Sequence, residues 1–277
     1  MGAMHYVEFL LRVEHICSSI IRRCYPTSWN EDHITYSLTD ELAQLQYVEV
    51  LGLDRPFKIT WDARKLRGAP EQQFGDIGIV VRLKSWSGEE INGVGLLEAK
   101  RRDANSANFG AMRKRQLKTI LRHTPSSRLL LYDYSQITGF GDNLVPPEIW
   151  QGAYQRPWLP IYQGPLPAIA PCSHCLTVPT GIALSTGIYT TGLYKYGVPF
   201  SVQLCGRYLR GLDIEYREST VSKVSQFINR SGGPRHLLLA GVSTGDGDPT
   251  PPDWISDKYY EPLRLNAPMR DADNRQR

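Results

Sequence analysis

No run in the 277 residues approaches the ~18 consecutive apolar positions of a membrane-spanning helix, so none is expected. The apolar stretch near Phe9 to Leu11 is broken by Arg12 and Glu14, which argues against a secretory leader. There is no Gly-x4-Gly-Lys-Ser/Thr motif and no dinucleotide-binding glycine pattern, which excludes the familiar phosphate cradles. No internal repeat points to a solenoid. Cysteine is scarce: five, an odd number and scattered, which fits free thiols in a reducing cytoplasm rather than a disulfide framework. The lone pair Cys172 and Cys175 has only Cys205 as a further thiol candidate, short of the four ligands of a structural zinc site, so free thiols are expected there too. The net charge of +4 is too mild to indicate a polyanionic partner by itself. What remains is an ordinary globular composition, long enough to bury a sizeable core.

The informative stretch runs from Gly75 to Lys100. Ile77, Ile79, Val81 and Leu83 alternate as in a half-buried strand. Ser85 to Gly93 is rich in turn residues, and Val94 to Lys100 reads as the returning strand of a hairpin. With its centre near Ser87 and Gly88, Asp76 falls opposite Glu98 to Lys100. Alternation sends Glu98 and Lys100 to one face and Leu97 and Ala99 to the other. Directly opposed strand residues stand roughly 4.5–5.5 Å apart at Cβ. Two carboxylates that close need a positive charge between them, and a divalent cation with oxygen ligands suits the gap.

Gly75-Asp76-Ile77, Glu98-Ala99-Lys100 and the strand–turn–strand between them resemble the PD-(D/E)xK nuclease superfamily, with its restriction-endonuclease-like fold. The resemblance covers roughly residues 28 to 137, and Gly75 stands where the strict pattern has proline. It implies an α/β (α+β) protein whose core follows the order αβββαβ, with a mixed central sheet flanked by helices. It further implies Mg²⁺-dependent phosphodiester hydrolysis, with Mn²⁺ able to substitute. Asp76, Glu98 and the Ala99 carbonyl would hold the metal. Lys100 would serve the nucleophile or balance charge. Glu31, on the helix before the first strand, would reach the same site, with Asp32 and Glu41 weaker candidates for that role. The competing reading is that Glu31 closes a capping box begun by Ser28.

Around this core, helices are expected over residues 5 to 23 and from Ser28 through Leu45, and a strand from Phe57 to Trp61 followed by a polar connection to Gln73. Ala107 to Arg122 reads as a helix and Arg128 to Tyr134 as a strand. Arg101, Arg102, Arg113, Lys114, Arg115, Lys118 and Arg122 follow the motif with a single acid, Asp103. A solvated face normally mixes signs, so this run points to phosphate contact. Gln116 lies on the same helix; several nucleases of this fold aim a glutamine at the site from there, and an ordinary surface glutamine is the alternative.

The nuclease core and N-terminal helix are assigned to residues 1–137. An irregular Pro/aromatic-rich insertion with a C-terminal α/β extension is assigned to 138–265, packed on that core, and a disordered tail to 266–277. Helices are expected over Phe200 to Leu212 and Ser219 to Ile228, and a buried strand over His236 to Val242. Nucleic acid, DNA ahead of RNA, is the expected partner, in a cytoplasmic restriction or antiviral-defence role suggested by analogy alone. A homodimer or an assembly with a regulatory subunit would supply the two sites that double-strand cutting needs. A non-catalytic nucleic-acid-binding subunit that retains the fold is the second reading. The third is a surface Glu98–Lys100 ion pair of no consequence.

Overall fold

The computed structural model describes residues 3–51, 56–68, 74–110, 112–140, 172–229 and 233–263. The chain opens with β1 (Ala3–His5), α1 (Tyr6–Cys24), α2 (Glu31–Ala43), β2 (Tyr47–Leu51) and β3 (Phe57–Leu66). The hairpin β4 (Ile77–Lys84) and β5 (Glu90–Arg101) follows, then α3 (Lys114–His123), β6 (Arg128–Ile137) and β7 (Ser173–Pro179). The remainder holds α4 (Thr180–Thr186), β8 (Val198–Pro199), α5 (Phe200–Gly206), α6 (Glu218–Ile228), β9 (His236–Ser243) and β10 (Tyr260–Pro262), with short 3-10 turns at Thr191–Tyr196 and Tyr208–Arg210. All ten described strands form one mixed sheet, ordered β1-β2-β3-β9-β4-β5-β6-β7-β8, with β10 on β3.

The hairpin forms as the alternation dictates. Ile77 pairs with Leu97 and Val80 with Val94, so counting one residue outward sets Asp76 opposite Glu98. On one face Ile77, Ile79, Leu97 and Ala99 pack with Ile34, Leu38 and other residues of α1 and α2. On the other face Val80 and Leu96 pack with Ile120 of α3 and Val224 and Ile228 of α6. The chain succession is α2, β2, β3, β4, β5, α3, β6, one strand more than the expected αβββαβ, and β9 separates β3 from β4. Every residue of β9 is buried, and its Leu237, Leu238 and Leu239 feed both faces. Each such leucine contributes about 1.5–3 kcal/mol through burial. Residues beyond 138 are thus woven into the sheet centre, and the expected boundary at 137 runs through one continuous sheet.

Several expected bounds are corrected. β3 continues to Leu66, into the first residues assigned to a polar connection, because β9 pairs with it from Lys58 to Lys65. The basic helix begins at Lys114, since Arg102 bridges to Phe109 and Asn108 to Thr190. Cys175 lies buried on β7, not in a loop, and all five cysteines are free. The helix expected from Phe200 to Leu212 ends at Gly206, and Tyr208–Arg210 form a separate short turn. β1 and β2 have no counterpart among the expected elements. The body of the proline- and aromatic-rich insertion and the tail lie outside the described residues.

One polar hub ties β6 to the segment after α5. Asp213 accepts from Arg128 Nη2 at 2.9 Å and Gln203 Nε2 at 3.0 Å, and it also pairs with Arg207. Arg207 first, then Gln203 and Arg128, outweigh the cost of burial and hold its carboxyl well below the usual carboxylate range. Asp213→Asn keeps a side chain that tolerates the local φ of 59° and should cost about 2 kcal/mol at neutral pH. A depressed folded pKa gives stability that is complete above the unfolded value and lost as pH falls toward the folded one. Thermal melts of variant and wild type should therefore differ at pH 7 and converge progressively below about pH 4.

Candidate active site at one end of the sheet

The start of β4, the end of β5, the start of β9 and the N-terminus of α2 meet at one end of the sheet. Asn30 caps α2 by accepting from the N–H of Asp32 at 2.9 Å and of His33 at 3.4 Å. Glu31 is therefore the first helical residue and not the closing member of a capping box. Its Oε1 accepts from the Arg101 N–H at 3.1 Å, and its Oε2 lies 3.5 Å from Lys100 Nζ.

Lys100 Nζ stands 2.7 Å from Glu98 Oε1 and donates to the Ala99 carbonyl at 2.7 Å. Glu98 is buried on β5, and its Oε2 accepts from Gln116 Nε2 at 3.0 Å. Burial alone would lower the Lys100 pKa, but Glu98, Asp76 and Glu31 outweigh it and hold the ammonium above the ordinary lysine range. Asp76 Oδ2 accepts from the Ala99 N–H at 2.8 Å. Burial pushes the Asp76 carboxyl above its usual value against the opposing influence of Lys100, the Ala99 N–H, Arg235 and His236. Asp76, Glu98, Ala99, Lys100, Glu31 and Gln116 are thus brought together.

Gly75 explains the departure from proline at the motif's first position. Its φ of +81° is out of reach of a proline ring, and a Cβ there would lie 2.7 Å from the Leu97 carbonyl oxygen. Gly75→Ala should destabilise the chain by about 1–3 kcal/mol through backbone strain. It should also displace Asp76 from the Ala99 N–H, which a crystal structure of the variant would show.

The basic run divides. Arg102 faces inward: it reaches Asp133 at 3.0 Å, donates to the Ser106 carbonyl at 2.6 Å and lies over the Tyr134 ring. It serves the fold and is withdrawn from the expected phosphate contacts. Arg101 is half-buried, with Asp103 3.6 Å away. Arg113, Lys114, Arg115, Lys118 and Arg122 are exposed, and the last four with Thr119 line a groove of about 450 Å³. The groove lies on the helix whose first turn carries Gln116 to Glu98.

Sequence reasoning missed the other side of the site. Asp32, weighed only as a stand-in for Glu31, accepts from His236 Nε2 at 2.8 Å and pairs with Lys65 and Arg235, each at 3.3 Å. The His236 bond first, then the charges of His236, Lys65 and Arg235, hold its carboxyl well below the usual range despite burial. Burial lowers the His236 pKa although Asp32 pulls it up. A small polar cavity of about 170 Å³ takes in Glu31, Asp32, Asp76, Arg235 and His236. The one signal in the sequence is an ionisable residue opening an otherwise apolar strand after Gly-Gly-Pro-Arg. A larger, mostly apolar hollow of about 470 Å³ lies at the opposite end of the sheet, beside Leu83 and Val242, away from this cluster.

Among the described residues, no three His, Cys, Asp or Glu side chains stand together as ready-made metal ligands. The expected Asp76–Glu98–Ala99 set is not gathered on one point, because Asp76 is turned to the Ala99 N–H and the Lys100 ammonium lies on Glu98 and the Ala99 carbonyl. The donor chemistry nevertheless fits a hard divalent cation: two carboxylates and a carbonyl already share one positive group, and all are oxygen. No protein-family model, curated protein or solved structure matches this chain.

Proposed function

We propose that the chain is a metal-dependent nuclease that hydrolyses phosphodiester bonds of nucleic acid, DNA in preference to RNA. The observation that carries the proposal is the meeting of Asp76, Glu98, Lys100 and Glu31 at one sheet end, beside a helix face bearing only positive charge. The succession α2, β3, β4, β5, α3, β6, with β2 inserted after α2, supports a restriction-endonuclease-like core within the larger sheet, with β9 as an added central strand.

In this reading Glu98, the Ala99 carbonyl and Asp76 would hold Mg²⁺, and Glu31 would fix a water or a second ion. A bound divalent cation supplies polarisation of the scissile phosphate and a more acidic water. Gln116 keeps Glu98 oriented by engaging its second oxygen. Lys100 offers its ammonium to the charge that builds on the reacting phosphate. Lys114, Arg115, Lys118 and Arg122 hold the neighbouring backbone.

The test is Mg²⁺-dependent digestion of DNA and RNA by wild type, Asp76→Ala, Glu98→Ala and Lys100→Ala. Cleavage by the wild type and its loss in the variants is expected. Equal behaviour of all four ends the proposal. The closed Lys100–Glu98 pair favours one competing reading, a nucleic-acid-binding subunit that no longer cuts. Tight binding with no cleavage under Mg²⁺ or Mn²⁺ would select it.

A further inference from the structure

Lys100 does more than stand beside the proposed metal site: its ammonium lies among the oxygens that a metal would need. Nζ is 2.7 Å from Glu98 Oε1, 2.7 Å from the Ala99 carbonyl oxygen and 3.5 Å from Glu31 Oε2. Its side chain is only 8% exposed. Two cations cannot share that point, since like charges so close in a poorly solvated site repel strongly.

The geometry also indicates which partner moves. Glu98 is tethered from behind by Gln116, and Glu31 by the Arg101 N–H. Both carboxylates are pinned through their other oxygen. The ammonium is attached through a four-carbon stem with several rotatable bonds, and the groups it engages are the site oxygens themselves.

We infer that Lys100 is the resident occupant of the cation site and that a divalent ion enters only by displacing it. The inference rests on the nuclease reading and adds a control to it. The protein's apparent affinity for the ion is reduced by the small fraction of time the ammonium is out. Displacement also delivers the ammonium to solvent, where a substrate phosphate can receive it. By linkage, a phosphate that draws Lys100 out favours ion entry to the same degree. Metal and nucleic acid would then assemble the site together, which protects the chain from binding the ion idly.

The test uses the full chain stripped of metal. Lys100 and the exposed Lys118 are acetylated by a water-soluble amine-reactive ester across a Mg²⁺ titration, and each site is read by peptide mass spectrometry. Lys100 should react slowly without the ion and about tenfold faster at saturation, while Lys118 stays constant. In parallel, Mn²⁺ binding is titrated by electron paramagnetic resonance for wild type and Lys100→Met. The variant, checked for folding by circular dichroism, should bind about tenfold more tightly. Flat or falling Lys100 labelling while Mn²⁺ binds, or equal or weaker binding by a folded Lys100→Met, overturns the displacement and leaves the nuclease reading standing. Absence of Mn²⁺ binding in both proteins overturns both. If Lys100→Met does not fold, the labelling of the wild type decides alone.

Discussion

Glu98→Gln should lower the rate of DNA cleavage by about three orders of magnitude, the loss expected when several kcal/mol of charge stabilisation leaves a transition state. The substitution keeps the side chain's shape and leaves an amide oxygen for Gln116, which donates to Oε2 at 3.0 Å in the wild type. It removes the negative charge that faces Lys100 at 2.7 Å. The fall should appear in kcat, because the α3 cations proposed to hold the nucleic-acid backbone are untouched. Binding of an oligonucleotide measured by fluorescence anisotropy should change little. A kcat within tenfold of wild type would remove Glu98 from the chemistry.

The second large effect concerns α3. Its exposed cations carry no acidic neighbour within the helix, and Arg115, Lys118 and Arg122 follow one another at helical spacing beside Lys114. Replacing Lys114, Arg115, Lys118 and Arg122 together by alanine should weaken DNA binding by about 100-fold or more at moderate salt. The dependence of log K on log salt should flatten by about 0.9 for each phosphate that is no longer neutralised. Arg102→Ala should act differently, since Asp133 is buried beside it and would be left without that partner. Its effect belongs in the melting temperature and not in the salt slope.

How much of this is readable from the residues depends on how far apart the partners lie along the chain. The hairpin pairs residues close in sequence, and its alternation and turn signals agree, so Asp76 opposite Glu98 follows from counting. The placement of β9 does not. His236 meets Asp32 across 204 residues, and nothing local in a leucine-rich strand states that it will lie between β3 and β4. The start of α3 escapes the pattern for a related reason. Asn108 and Gly110 disfavour helix only modestly on their own, and Phe109 donates its N–H to the Tyr189 carbonyl at 3.1 Å, a partner far along the chain. Glu31 shows the reverse case. Moving the cap from Ser28 to Asn30 shifts Glu31 from the third helical position to the first, where its carboxylate has no capping duty and reaches Lys100 and Arg101 instead. Pattern alone places the acids and the lysine near one another. It does not tell that the ammonium lies on the oxygens of Glu98, Ala99 and Glu31.

The most direct test is a crystal structure of the wild-type chain with Mn²⁺ and a short DNA duplex, the ion located by its anomalous scattering. The account predicts manganese at the sheet end on Glu98 and the Ala99 carbonyl, a backbone phosphate against it, and Lys100 turned toward that phosphate. A duplex bound elsewhere on the surface, with no ion at this end of the sheet and Lys100 still on Glu98, would contradict it.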